Sequence, residues 1–428
     1  MTTASIPAAP IPAAPIPAAP QGQALTSGTH RILPNALLAL TVLVVAANLR
    51  PSITAVGAVI GHIADDTGLA TASLGLLGAV PLLAFAVVSP FVHLISTRLG
   101  TERAVFLALL VLIMGTVIRS LPGFEANLWI GTAVLGAAIA VCNVLVPSIV
   151  KRDFPRRIAL MTGAYSAVIS AFAALASGIA VPLSEWGGWR LGIGVWALLS
   201  IVSAAVWTLR LPRRASAPFS ALPAEPTTPH PRPARRSMWT STVAWQVTCF
   251  MGLQSTSFYL LITWLPAIEA HGGTAIAAAG WHLFTFQIVG IAGGLGVTLL
   301  MGRRADQRAV GAAVSAGMLA AMLGLLFMPD LIILWVVIAG ISSGSSLVVA
   351  LSLVALRSRS ASDATRLSGM VQGVGYLLAA FGPIGAGLLI DASGWWMAPI
   401  VLVVCIAATQ FIFALLAGRD RYTHEELA

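Results

Sequence analysis

One basic residue lies inside an otherwise apolar segment of this sequence. Arg50 follows Ala46-Ala47-Asn48-Leu49 and precedes Pro51, within an apolar stretch at about residues 33–60. A charged side chain near the centre of a membrane-spanning helix costs roughly 2.5–3.5 kcal/mol on insertion scales, so it normally faces a polar cavity and finds a partner there. A guanidinium without a counter-charge can bind an anion, because its planar, forked N–H groups can donate to two oxygens at once.

The partner of Arg50 is not evident from the sequence. All 15 acidic residues fall in predicted loops or tails, so no intramembrane carboxylate is expected to neutralise Arg50. We therefore expect the missing anion to be the cargo. Asn48 lies about 200° from Arg50 around an ideal helix, so the two share a ligand only if Pro51 loosens the turn. Arg119, near the end of a later apolar stretch, is expected to snorkel to the membrane surface.

Other polar side chains within the apolar stretches are candidates for binding a solute. His282 is the only one expected to titrate near neutrality, which makes it the candidate for proton coupling, with an imidazole satisfied by interfacial water as the alternative. Asn143 could instead make a buried structural hydrogen bond, Tyr165 could anchor a helix at the membrane interface, and Gln372 could join close helix packing. The candidate substrate-binding residues are Arg50, Asn48, Asn143, Tyr165, Gln254, His282, Gln287 and Gln372.

The composition defines the class of protein. Of the 428 residues, 58% are hydrophobic and 9% are charged, and the mean hydropathy is +0.91. About a quarter of the residues of a soluble domain are charged, so this is an all-α membrane protein. Twelve apolar stretches are each long enough to cross a bilayer as a helix. The predicted spans are about 33–60, 73–96, 104–121, 127–150, 158–183, 190–211, 239–266, 275–301, 309–328, 331–356, 367–390 and 395–417.

The basic residues alternate with the predicted spans. Only Arg50, Arg119 and Arg190 among the 24 lysines and arginines do not fall on one side of the membrane, which leaves 24 − 3, or 21, on that side. The positive-inside rule therefore predicts a multi-pass protein of the plasma or inner membrane with both termini in the cytoplasm. The net charge of +9 is explained by topology, and no nucleic-acid partner is expected.

The two halves of the chain are related by an internal repeat. The segment Arg98-Leu-Gly-Thr-Glu-Arg-Ala-Val105 resembles 303–310 at an offset of 205 (308 − 103), and Gly187-Gly-Trp189 resembles Ser393-Gly-Trp395 at an offset of 206 (395 − 189). A repeat of this kind is typical of transporters that bind their substrate between two bundles. The predicted domains are a disordered Pro/Ala-rich cytoplasmic tail at 1–30, a six-helix bundle at 31–211, a cytoplasmic linker at 212–237, a second six-helix bundle at 238–418, and a tail at 419–428.

Short motifs add a family resemblance that covers about residues 31–417. Asn48-Leu-Arg-Pro-Ser52, Gly78-Ala-Val-Pro81, Asn143-Val-Leu-Val-Pro147 and Met161-Thr-Gly-Ala-Tyr165 resemble the cyanate and 2-nitroimidazole transporters of the major facilitator superfamily. The resemblance implies twelve helices in two pseudo-symmetric bundles. It also implies alternating access by a rocker-switch motion, with a small anion such as cyanate or a nitroimidazole-like compound as the cargo.

Two other functions compete with this prediction. A proton-coupled multidrug efflux transporter is the alternative within transport, although a cationic drug would be expected to need an intramembrane carboxylate. A membrane-embedded enzyme would need a catalytic cluster, and none is evident in the sequence. Cys142, Cys249 and Cys405 have no paired spacing, and no phosphate-binding loop occurs. We expect no metal and no cofactor, and a functional monomer whose partners are a small-molecule substrate, the lipid bilayer and protons.

Overall fold

The computed structural model describes residues 35–211, 237–301, 305–359 and 361–423. Within these ranges the regular elements are α-helices and short 3-10 turns. The predicted tail at 1–30, and nearly all of the predicted linker at 212–237, lie outside the described residues.

The first bundle contains the helices of spans one to six. Span one consists of α1 and α2, continued by α3. The bounds are α1 Asn35–Ala46, α2 Pro51–Ala58, α3 Ile60–Thr67, α4 Thr71–Val88, α5 Val92–Leu99, α6 Thr101–Ser120, α7 Glu125–Asp153, α8 Ile158–Gly187, α9 Trp189–Gly194 and α10 Trp196–Trp207. Span two consists of α4 and α5, span six of α9 and α10, and α6, α7 and α8 are spans three, four and five.

The second bundle contains one long helix for each of spans seven to twelve. The bounds are α11 Thr242–His271, α12 Ile276–Met301, α13 Arg308–Phe327, α14 Ile332–Leu356, α15 Ala361–Ser393 and α16 Ala398–Ala417. Eleven helical stretches of the described residues are long and apolar enough to cross a membrane. The twelfth span is α11, which has 30 residues and buries polar side chains, so its low hydropathy follows from an interior position. These helices confirm the predicted twelve-helix fold.

Span one is broken in its middle. A continuous helix at 33–60 was expected, and that expectation is wrong. The backbone N–H groups of Asn48 and Leu49 bond to carbonyls three residues back, and a new helix begins at Pro51. Pro51 has no N–H, and its ring would clash with the carbonyl four residues earlier, so the sequence ends one helix here and starts another. The break puts Arg50 directly before the first residue of α2.

The two bundles meet along three seams that follow the internal repeat. The seams are α2 with α11, α4 with α15, and α8 with α12. In the second seam Gly75 lies against the backbone of Ile384, and in the third Gly178 lies against the ring of Trp281. Gly75 and Trp281 are 206 residues apart (281 − 75), and so are Gly178 and Ile384 (384 − 178). The two contacts are therefore equivalent under the predicted repeat, which relates α4 to α12 and α8 to α15.

Candidate functional site

Arg50 reaches from the first bundle to the second. Its Nη1 donates a hydrogen bond of 2.5 Å to the hydroxyl of Tyr259, and its Cζ lies 5.2 Å from the centroid of the Tyr259 ring and 5.4 Å from that of Phe258. The residue is half-buried. No carboxylate of the described residues forms a salt bridge with Arg50. In the part of the chain that the structure describes, the positive charge is therefore stabilised by a hydroxyl and two aromatic faces, without a counter-charge.

The start of α2 adds a second source of positive potential beside Arg50. The carbonyl of Arg50 accepts hydrogen bonds from the N–H groups of Ile53 and Thr54, so the first turn of α2 forms immediately after the guanidinium-bearing residue. The N-terminus of a helix carries a partial positive charge. Broken helices whose N-termini point at an anionic group are a recurring way to build a transporter site.

Aromatic rings surround this part of α11. Tyr259 contacts the ring of Tyr376 on α15 edge-on, at 6.4 Å between centroids, and Tyr376 contacts Phe85 on α4 at 5.7 Å. On the other side, Phe258 stacks with Phe286 of α12 at 6.1 Å. Rings from four spans therefore form an aromatic wall next to Arg50, a surface suited to a flat ligand.

On the side of Arg50 that leads toward α3, the backbones of the two bundles are in direct contact. A Cβ atom placed on Gly57 would lie 1.8 Å from the carbonyl oxygen of Ile262, and one placed on Gly75 would lie 2.3 Å from the carbonyl oxygen of Pro383. Such distances are too short for any side chain, so glycine is required for this closure. We call this end of the molecule, which includes α3 and the end of α11, the closed end.

Gln287 belongs to the third seam. Its Nε2 donates to the carbonyl of Ala173, at 3.2 Å, and to Oγ of Ser177, at 2.6 Å, both on α8 of the other bundle. The same Ala173 carbonyl accepts a hydrogen bond of 3.0 Å from Oγ1 of Thr54, one turn beyond Arg50. Gln287 thus closes the contact between the bundles, and its amide N–H groups are already engaged there.

Asn48 is separated from Arg50 by the break in span one. Its Nδ2 donates to Oγ of Ser203, at 2.6 Å, and to the carbonyl of Val44, while its Oδ1 accepts from Oγ of Ser200, at 2.8 Å. Both serines lie on α10. The side chain is 3% exposed. Asn48 therefore joins spans one and six, and the structure does not bring it to Arg50.

The remaining polar candidates are distributed over four helices. Gln254 is buried and donates to Oγ of Ser255, its neighbour on α11. Asn143 on α7 and Tyr165 on α8 are half-buried. Gln372 on α15 is exposed and donates to Ser368, and it lies one turn before Tyr376 on the same helix face.

His282 has a buried carboxylate partner that the sequence did not predict. Nδ1 of His282 lies 2.6 Å from Oε2 of Glu269, whose side chain is 2% exposed. The other carboxylate oxygen, Oε1, is buried and has no hydrogen-bond partner among the described residues. Glu269 was assigned to a loop after a span ending near 266. That assignment is wrong, because α11 continues to His271 and carries Glu269 inside the bundle.

Arg119 does not snorkel to the surface. It is 1% exposed, and its Nη1 and Nη2 donate to the carbonyls of Ser52, at 2.7 Å, and Ile193, at 3.2 Å. The prediction fails because α7 packs directly over the residue: a Cβ on Gly131 would lie 2.4 Å from the backbone nitrogen of Arg119. Arg119 fixes the beginning of α2, two residues after Arg50.

Two bundles related by a repeat, a broken first span and a polar contact between the bundles define a membrane transporter fold. The model of the Major Facilitator Superfamily matches residues 40–379, and this chain belongs to that family. It is 39% identical to the 2-nitroimidazole transporter of Escherichia coli (strain K12) over 396 residues, which cover 92% of this chain and 98% of that protein.

Two further comparisons concern a second relative and a solved structure of similar fold. The chain is 25% identical to the cyanate transport protein of Escherichia coli (strain K12) over 357 residues, which cover 83% of this chain and 90% of that protein. The fold is similar to the crystal structure of a bacterial homolog of the human lysosomal transporter Spinster, in an inward-facing and unoccupied conformation. That comparison has a TM-score of 0.74 at 18% identity, and it covers 91% of this chain and 98% of the other.

Proposed function

We propose that this transporter moves a small, flat anion or nitro-substituted heterocycle and binds it at Arg50. The observation that carries the proposal is the guanidinium of Arg50, half-buried between the bundles and without a salt bridge to any carboxylate of the described residues. A charge in such a place needs compensation, which water, dipoles or a ligand can supply. A ligand with negative oxygens supplies it best, because the fork of the guanidinium holds two such atoms.

The surroundings of Arg50 favour a flat ligand over a bulky one. Phe258 and Tyr259 already lie against the guanidinium, and Tyr376 and Phe85 extend the aromatic wall. A nitroimidazole presents two nitro oxygens to an arginine and a conjugated ring to aromatic side chains. Cyanate presents an oxygen and a nitrogen, and is small enough for the same place. The names of two relatives include these compounds, which supports this range of substrates.

A rocker-switch motion is the proposed transport cycle. The contacts at Gly57 and Gly75 close one end of the molecule, and both lie on the same side of Arg50. In the opposite half of the membrane, Gly163, Gly369 and Gly373 have open space where a side chain would be. We interpret this as a state open toward the end that holds the start of α1 and the end of α16, which the positive-inside rule assigns to the cytoplasm.

Glu269 and His282 are the proposed proton-binding pair. They share a hydrogen bond inside the second bundle, and the residue before His282 is Trp281, which packs on Gly178 of the first bundle. A change of protonation at this pair is thus one residue away from a contact that must open during transport. Intramembrane ionisable residues that pair with each other are typical of proton relays.

Counterflow in proteoliposomes tests the substrate assignment. Vesicles loaded with unlabelled cyanate or 2-nitroimidazole should accumulate the labelled compound transiently, and vesicles that contain Arg50→Gln should not. N-Methylpyridinium, a flat organic cation, serves as the negative control. Accumulation of the cation together with failure of both anionic or nitro compounds would reject the proposal in favour of a cationic-drug transporter.

A further inference from the structure

The two bundles carry equivalent cavities at the closed end, and the cavities differ in charge. The cavity of the first bundle has a volume of about 180 Å³ and that of the second about 340 Å³. Three pairs of their lining residues are each separated by the repeat offset of 206 residues: Asp66 and Gly272, Arg119 and Leu325, and Gly123 and Pro329. A leucine therefore stands in the second cavity where the first has a buried arginine.

Arg119 brings an unmatched positive charge to the first cavity. Two of its nitrogens donate to backbone carbonyls, which are neutral, while its Nε–H is buried and has no acceptor among the described residues. No carboxylate of the described residues forms a salt bridge with Arg119. A buried N–H without an acceptor costs about 1–3 kcal/mol, and more when the group is charged, so this position favours a negative ligand.

The other charged groups of the cavity do not balance Arg119. Asp66 accepts hydrogen bonds from Trp189 Nε1, at 3.0 Å, and from Arg190 Nη1, at 2.8 Å. These bonds lower the pKa of Asp66, so at neutral pH it is a carboxylate already matched by Arg190. Glu125 is exposed to solvent and accepts a hydrogen bond from Trp129.

We propose that this cavity, which we call the Arg119 cavity, binds a small monovalent anion beside Arg119, whose guanidinium lacks a counter-charge among the described residues. Chloride and cyanate share the required chemistry, a single charge and a small radius. The volume of about 180 Å³ accommodates such an ion with some of its water. The same guanidinium holds the Ser52 carbonyl in the first turn of α2, so a bound anion would stabilise the helix start beside Arg50.

Melting of the purified full-length protein in detergent tests this site. We expect chloride, exchanged for gluconate at constant ionic strength, to raise Tm by on the order of 2–4 °C. Leu121 lines the Arg119 cavity and is exposed, so Leu121→Trp narrows the cavity while Arg119 itself is unchanged. This variant should abolish the chloride-dependent rise in Tm. Phe327→Trp is the matched control, since Phe327 is exposed and occupies the equivalent repeat position (327 − 121 = 206). The Phe327→Trp variant should still show the chloride-dependent rise in Tm.

Further measurements distinguish which anion binds and at which site. Cyanate in place of chloride, tested in Arg50→Gln so that the proposed transport site is removed, shows whether the cavity takes the candidate cargo, ambient chloride or both. Arg50→Gln should retain the rise, because the Arg119 cavity is distinct from the proposed transport site, so this result stands even if the transport proposal fails. Crystals soaked in bromide should show an anomalous peak in this cavity, beside Arg119. Retention of the rise in Leu121→Trp, loss of the rise in Arg50→Gln, or no rise in the wild-type protein would each overturn the proposal.

Discussion

The guanidinium of Arg50 and the hydroxyl of Tyr259 are joined by a hydrogen bond of 2.5 Å that crosses from one bundle to the other. Arg50 stands at the start of α2, and Tyr259 lies in α11, the helix that faces α2 along the first seam. A ligand that takes the guanidinium away from Tyr259 also changes the contact between the bundles. Recognition and movement can therefore be coupled at this pair.

The first prediction concerns closure at Gly57. Gly57→Ala should prevent the closed end from forming, because the new methyl group would meet the carbonyl oxygen of Ile262 at 1.8 Å. The bundles can separate without unfolding, so we expect transport to fall at least tenfold while the protein still purifies in a folded state. Labelling of a cysteine introduced at Thr71, near the closed end, should become faster.

Gly61→Ala is the matched control for this experiment. Gly61 lies one turn further along span one, in α3, and has nothing within 4 Å of an added Cβ. Alanine in a helix interior is favoured over glycine by roughly 0.5–1 kcal/mol, so this variant should be as stable as the wild type or more so. Equal transport by the two alanine variants would contradict the proposed closure.

The second prediction separates Asn48 from substrate binding. Asn48→Ala removes hydrogen bonds to Ser200 and Ser203 and should destabilise the packing of span one on span six. Interhelical hydrogen bonds in membranes average about 0.6 kcal/mol each, so a loss of roughly 1–2 kcal/mol is expected, seen as a lower Tm. Ligand affinity should change less than threefold. A double-mutant cycle with Ser203→Ala should be non-additive, and additive effects would show that the two side chains act separately.

The third prediction concerns proton coupling. Glu269→Gln keeps the shape of the side chain but removes the charge that pairs with His282. We expect accumulation driven by a pH gradient to be lost while counterflow, which needs no gradient, persists at a rate within about threefold of the wild type. Glu125→Gln, an exposed glutamate at the same end of the molecule, should leave both activities unchanged. Gradient-driven uptake by Glu269→Gln at the wild-type level would exclude the pair from coupling.

Span count and the repeat could be predicted from the sequence, because both depend on patterns many residues long. Twenty apolar residues have few structural alternatives in a bilayer, and the offset of 206 recurs in the seams at Gly75 and Gly178. The expectation that Arg50 faces the interior and not the lipid also agrees with its contact to Tyr259 of the other bundle. That expectation followed from the free-energy cost of an unpaired charge in lipid, because a position between the bundles avoids this cost.

Partners of individual polar residues could not be predicted in this way. Asn48 turns to Ser200 and Ser203, two of many serines, and nothing in their spacing indicates the contact. Glu269 was missed because hydropathy alone ended span seven too early, whereas burial by neighbouring helices extends it to His271.

Arg357, counted as a loop charge, is 0% exposed and holds the carbonyls of Ala305, Ala417 and Gly418. Such contacts depend on packing between helices that are distant in sequence. The pattern of each separate segment does not contain that information.

The central claim is that Arg50 is the counter-charge of the transported ligand, and binding to Arg50→Gln tests it most directly. Isothermal titration of the purified protein with 2-nitroimidazole and with cyanate should give a Kd about ten- to a hundredfold weaker than that of the wild type, since a charge-assisted hydrogen bond contributes roughly 1.5–3 kcal/mol. Arg50→Lys should recover only part of the loss, because an ammonium presents one point of contact. Arg98→Gln, which removes an exposed arginine, controls for net charge. We expect an unliganded Tm close to that of the wild type together with weakened binding, whereas an unchanged Kd in a folded Arg50→Gln protein would show that Arg50 is not the counter-charge.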